Sequence, residues 1–234
     1  MLNKKSIAAA LMALFVSVPA LAATEGVDYK LAEVEVAPLQ KDKIEVTEFF
    51  AYWCPHCYDL EPVIARHIKT FASDTVFRAE HVVWDKQRDF GFARLAAAVK
   101  QSGTKIQANP FIFEAVIKQK VNLGNPAVLS QWLKAQTAFD GSKVQAAFDS
   151  FSNATQATQM ESWTDQYAIS GTPTVIVGGK YQVIFNNGYE AGMTTIDELI
   201  KKVREERGMK APAPKAATTP THSFGASLVN SVNR

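Results

Sequence analysis

Cys54 and Cys57 are the only two cysteines in a 234-residue chain, and they stand three apart in "FFAYWCPHCYDL". Thiols at that spacing can form a structural disulfide, join a metal site, or exchange electrons reversibly. A disulfide closing so short a loop stabilises a fold by only about 2 kcal/mol, the low end for such bonds. Zinc normally takes four ligands, and the other soft donors are His56, His67, His81 and His222, the last in the tail. Reversible redox catalysis is the reading the spacing favours.

The segment around the cysteines strengthens it. A helix beginning at Cys54 would aim unpaired backbone N–H groups and the positive end of its dipole at the sulfur, favouring the thiolate. Cys57, one turn on, can close a disulfide back to Cys54. Pro55 suits the first helical turn, where its missing N–H costs nothing. His56, when protonated, places positive charge beside a sulfur that becomes negative on reduction. A dithiol whose reduced form is stabilised is a strong oxidant as its disulfide.

Four further residues draw attention. Glu48 is the one acid inside the apolar run "TEFFAYW". It is either a strand residue turned to solvent or a buried carboxylate beneath the cysteines, able to carry a proton to or from Cys57. Trp53 adjoins Cys54 and, with Tyr52, either forms an apolar rim for unfolded chains or simply packs. Thr172-Pro173 precedes the strand-like "TVIV". A proline there reads as a cis bond, which would leave the Thr172 backbone free to pair with an extended peptide; the alternative is a trans turn.

The elements that must hold these residues follow the hydrophobic pattern. Residues 44–51, "IEVTEFFA", read as a central strand; the helix after Cys54 contains Pro62, which should kink it; 75–84 read as a second strand. Helices are expected over 89–103, 109–120, 125–137, 140–151 and 153–169. Asn109-Pro110 and Asn125-Pro126 both read as cap and first position. Two strands flank the turn at Gly178-Gly179, and a helix covers 194–208. The order is β-α-β, an all-helical insert, then β-β-α, with 24–43 as a lead-in.

The chain ends read differently. Lys4 and Lys5, the apolar run from Ile7 to Val18 and Ala20-Leu21-Ala22 have the layout of a signal peptide cut after Ala22. Residues 208–234, rich in Ala, Pro, Thr and Ser, read as a disordered tail. Without Lys4 and Lys5 the 25 basic residues fall to 23, matching the 23 acidic ones, so no basic surface points to nucleic acid. The domain boundaries expected are 1–22, 23–207 with the helical insert at about 86–168, and 208–234.

"FFAYWCPHC", the helical insert and "SGTPTVIVGGKY" together resemble the DsbA family of periplasmic thiol:disulfide oxidoreductases, from about Val34 to Arg207. The resemblance implies an α/β thioredoxin fold with an inserted all-helical subdomain. It implies a periplasmic monomer that needs no cofactor or metal. Its disulfide would pass to newly exported, unfolded cysteine-containing proteins and be restored by a DsbB-type, quinone-linked membrane partner. Residue by residue, Cys54 matches the exposed nucleophile and Cys57 the buried cysteine. Pro55 and His56 match the tuning pair, Glu48 the buried acid, and Pro173 the cis-proline with Thr172 before it. His81 falls where relatives have a strand histidine. The sequence departs from the pattern at Ala79, where a lysine often accompanies the buried acid. The competing readings are an isomerase, which the short lead-in and Cys-Pro-His-Cys disfavour, and a non-enzymatic binding module, which would survive loss of Cys54.

Overall fold

A computed structural model describes residues 22–212. The signal peptide read over 1–22 therefore falls outside the described residues apart from Ala22, and so does the tail beyond 212.

Five strands form one mixed sheet in the order β1-β5-β4-β2-β3. The centre is β2 (Ile44–Phe50), all seven residues of which are buried. It runs parallel to β3 (Thr75–His81) and antiparallel to β4 (Thr174–Val177), so neighbours cover both edges and helices cover both faces. β5 (Tyr181–Val183) extends the sheet antiparallel to β4. β1 (Tyr29–Leu31) closes the edge against β5 and falls in the segment read as a lead-in, for which no strand was expected. Three residues, with only Tyr29 buried, are too few to give a strand period.

The α1 helix (Pro55–His67) follows β2 directly and continues through Pro62. Between β3 and β4 lie α2 (Lys86–Gln101), α3 (Lys105–Phe113) running into a π-turn at Glu114–Lys118, α4 (Pro126–Lys134), α5 (Gly141–Phe148) and α6 (Phe151–Gln166). The last helix is α7 (Tyr189–Glu206), which starts five residues before the expected Thr194. Its first turn has no capping side chain to announce it. Gly192 lies so close to Phe185 that a Cβ there would meet the ring at 2.4 Å.

The two Asn-Pro pairs have different fates. Asn125 caps α4 by accepting from the N–H groups of Ala127 and Val128, with Pro126 in the first turn. Asn109 does not cap anything: α3 begins four residues earlier and carries Pro110 in its interior. Asn109 is completely buried and bonds the Tyr52 hydroxyl and Glu61. Two buried polar partners fix its side chain, which outweighs the local start signal.

Apolar side chains gather in two clusters. One joins Ile44, Val46, Leu60, Ile64, Val175 and Ile196 beneath α1 and α7. The other runs from Phe49, Phe50 and Cys57 into the helical segment through Leu95 and Phe113. Both cysteines belong to this second cluster. No helix among the described residues is long and apolar enough to cross a membrane.

Candidate active site

The chain leaves β2 and turns once before α1, with the Cys54 N–H bonded to the Ala51 carbonyl at 3.0 Å. Cys54 is the N-cap of α1 in extended backbone, and Pro55 opens the helix. Pro55 and His56 are exposed, as a first helical turn at the surface requires. No disulfide joins the cysteines, so this is the reduced form. Cys57 is 0% exposed and Cys54 only 5%. The sequence assigned Cys54 an exposed place; the structure presents only an edge of its sulfur, because Thr172 closes over it. The Thr172 carbonyl oxygen lies 3.4 Å from Cys54 Sγ, and the Thr172-Pro173 bond is cis.

These neighbours divide the two thiols. A hydrogen bond from the Cys57 S–H, then one from the Thr172 side chain and those from the backbone N–H groups of Cys57 and His56, pull the Cys54 thiol down to about 5 against the opposing effect of burial. Cys57 moves far the other way, chiefly because it is buried, then because it donates to Cys54. Thiolate absorbance of the reduced protein should therefore show one cysteine titrating with a midpoint near 5. In His56→Ser that midpoint should rise if the imidazolium adds to the helix terminus. A midpoint near 8.5, that of an ordinary thiol, contradicts the geometry.

Glu48 is a buried carboxylate, 1% exposed, and the solvent-facing alternative is excluded. In the sheet it pairs with Ala79 on one side and Val175 on the other, and its Oε2 has no hydrogen-bond partner. Burial pushes its pKa up to about 8; Lys105 opposes the rise, while Glu61 and Cys54 add to it. The sequence reading missed Glu61, 5% exposed on α1, whose Oε1 accepts from Asn109 Nδ2 at 3.0 Å. Asn109 Oδ1 in turn accepts from the Tyr52 hydroxyl at 2.9 Å. A signal for Glu61 was present: it stands four residues after Cys57, on the same helical face.

Trp53 is half-buried beside Cys54 and firmly held. Its Nε1 donates to Asp89 at 3.1 Å, the Arg88 guanidinium lies 4.6 Å over its ring, and the Trp84 ring is 5.9 Å away. Asp89, completely buried, also accepts from the N–H groups of Trp84 and Asp85. Trp84, 41% exposed, extends this aromatic surface. His81 sits beneath the turn: its Nε2 accepts the Tyr52 N–H at 3.1 Å, its Nδ1 pairs with the Val82 carbonyl, and its ring stacks on Phe92. Burial lowers it to about 4, so it stays neutral and fixes the β2–α1 turn.

The arrangement can exchange disulfides: an acidified thiol at the surface edge, a protonated thiol behind it, and a buried carboxyl beneath. Residues 45–201 match the family model described as a DSBA-like thioredoxin domain. The thiol:disulfide interchange protein DsbA of Burkholderia cepacia is 34% identical over 168 residues, which is 70% of this chain and 78% of that protein. The DsbA of Bordetella parapertussis is 31% identical over 85% of this chain and 95% of its own length. Among solved structures, the oxidoreductase NmDsbA1 from N. meningitidis is 49% identical, with a TM-score of 0.76 over 79% of this chain and 96% of its own. The oxidoreductase NmDsbA3 from Neisseria meningitidis is also 49% identical, with a TM-score of 0.72 over 80% of this chain and 100% of its own.

Proposed function

The chain belongs to the DsbA-like thioredoxin family of thiol:disulfide oxidoreductases, and from that premise we propose that it is the oxidant of newly exported proteins in the periplasm. A client thiolate attacks Sγ of Cys54 in the oxidised enzyme. The S–S bond breaks, and its electron pair goes to Cys57, which takes a proton. A second client thiolate then attacks the client's own sulfur in the mixed disulfide. Cys54 leaves as a thiolate, and the client carries the new disulfide. The observation that carries this reading is the placement of the two sulfurs, Cys54 capping the start of α1 at the surface edge and Cys57 fully buried behind it, which opposes their acidities and makes Cys54 a stabilised leaving thiolate.

Trp53 and the Thr172 backbone, on either side of Cys54, are the surfaces proposed to hold the client. Glu48 is proposed to exchange the proton with Cys57, and His56 to tune Cys54 by its charge, with Pro55 fixing the helix start. Export by residues 1–22, a folded unit over 23–207, monomeric action and reoxidation by a DsbB-type membrane partner complete the proposal. The DsbA names of the relatives and the start of the sequence support it. The test mixes the oxidised protein with a reduced, unfolded, cysteine-containing protein and counts thiols. One client disulfide should appear for each Cys54–Cys57 disulfide lost; no loss of client thiols refutes the proposal.

The stabilised thiolate also sets which redox form is more stable. Cys54 lies below its unfolded value of 9, at about 5. Its contribution to the reduced form is therefore complete above pH 9, shrinks as the pH falls, and is lost below 5. The oxidised form gains about 2 kcal/mol from its short loop at every pH. Glu48 and His81 titrate in both forms, so their effects cancel to first order. Urea melts should find the reduced form more stable at about pH 7–8 and the order reversed at pH 4; above about pH 9 the buried Cys57 thiol, held protonated in the fold, takes stability back from the reduced form. A more stable oxidised form at pH 8 would contradict this.

A further inference from the structure

Tyr189 opens α7 and is half-buried. Its hydroxyl donates to the His56 carbonyl oxygen at 3.1 Å, across 133 residues of sequence. Packing sets the ring: it meets the Phe185 ring edge to face, with centroids 5.4 Å apart, and both rings lie against the apolar cluster beneath α1 and α7. The Phe185 ring in turn lies against Gly192. Disulfide exchange as such gives the contact with His56 no task. A carbonyl oxygen has two lone pairs, and in an α-helix the N–H four residues on uses one of them. The His56 carbonyl is therefore satisfied without Tyr189.

What lies at the other end of the same peptide gives the contact a meaning. The His56 carbonyl and the Cys57 N–H belong to one planar, conjugated group. His56 and Cys57 are the second and third residues of α1, and Cys54 is its N-cap, the position whose side chain receives the N–H groups of those two residues. A hydrogen bond accepted at the oxygen of a peptide polarises it and makes its N–H a stronger donor. We propose that Tyr189 is a positioning residue for disulfide exchange: its hydroxyl, acting through the His56–Cys57 peptide, strengthens the hydrogen bond from the Cys57 N–H to the Cys54 thiolate. The inference rests on the disulfide-donor reading. The effect belongs to the reduced form and to Cys54 as a leaving group, where the sulfur carries the charge that the N–H answers. In the disulfide the sulfur is neutral, and the polarised N–H has little to hold. Tyr189 thus biases the pair toward the dithiol and adds to its strength as an oxidant. Burial, then the charges of Asp59 and the two sulfurs, push the Tyr189 phenol above its ordinary pKa, so it remains a donor when Cys54 is ionised.

The test uses the full chain with Tyr189→Phe, which removes the hydroxyl and keeps the ring on Phe185. In the reduced protein the Cys54 thiolate midpoint should rise by about 0.3 pH unit, since polarisation changes a charged hydrogen bond by about 10–30%. At pH 7 the equilibrium with glutathione should move about twofold toward the protein disulfide, the same shift read as a ratio. Fluorotyrosine at position 189 is a stronger donor and should move both readings the other way; it also serves as the test if Tyr189→Phe does not fold. His56, Cys57, Asp59 and Glu48, the titratable groups about the sulfur, are the same in all three proteins. A merely structural tie between α7 and the turn would lower the stability of both redox forms alike and leave the glutathione equilibrium where it was. An unmoved or lowered midpoint in Tyr189→Phe, in a protein that still donates its disulfide, overturns the role of Tyr189. A wild-type protein that donates none overturns the function itself, whatever Tyr189 does.

Discussion

Cys54→Ser abolishes disulfide donation, while Cys57→Ser halts the cycle with a partner covalently attached to Cys54. The difference follows from burial and acidity. Cys57 is 0% exposed and held protonated, so it can neither be reached by a client nor act as a thiolate in place of Cys54. Cys54 keeps its surface edge and its helix terminus when Cys57 is replaced. Its thiolate will still attack a disulfide, but no second thiol follows to release the product. Mixed with glutathione disulfide or an oxidised client, Cys57→Ser should accumulate a mixed disulfide at Cys54, seen as an added mass that a reductant removes. The serine hydroxyl can still donate to Cys54, so the thiolate midpoint should rise less in Cys57→Ser than in Cys57→Ala. Repeated turnover by either single-cysteine variant would contradict the assignment.

Arg78→Met should cost about 3–5 kcal/mol, the usual result of removing one member of a buried charge network. Arg78 Nη1 lies 2.9 Å from Glu45 and its Nε 3.1 Å from Glu80, which are 2% and 0% exposed. Its guanidinium also lies 4.1 Å over the Trp163 ring, tying β3 to α6. Lys100 reaches Glu80, and the Leu39 and Gln40 N–H groups reach Glu45, yet neither acid is left with a buried cation. Urea midpoints measure the cost, and replacing both acids by glutamine in the same variant should recover most of it. A loss below about 1 kcal/mol would place this network among surface pairs. In the folded fraction the Cys54 titration should not change, because none of these groups touches the sulfur.

The sequence made the chemistry more legible than its surroundings. Residues 44–50 show a central strand because the run becomes apolar on both faces towards Phe49 and Phe50, while the role of Glu48 stayed open: in a strand buried along its whole length no residue has a solvent face to betray. Asn125-Pro126 was read correctly because its partners are its own next residues, the N–H groups of Ala127 and Val128. Asn109-Pro110 looked identical and was misread because its partners, Tyr52 and Glu61, are 57 and 48 residues away. Of the cysteines, the order of burial was anticipated, but not that Thr172 leaves Cys54 merely 5% exposed. The cis bond before Pro173 was anticipated from the strand that follows it.

The reduction potential of the Cys54–Cys57 pair, read from its equilibrium with glutathione, tests the central claim most directly. A thiolate stabilised from 9 to about 5 favours the reduced form, and each pKa unit corresponds to about 30 mV for a two-electron couple. The potential should lie well above the roughly −270 mV of thioredoxin, so that the disulfide passes spontaneously to client thiols. A value at or below that of thioredoxin would make the pair a reductant and contradict its role as a donor of disulfides.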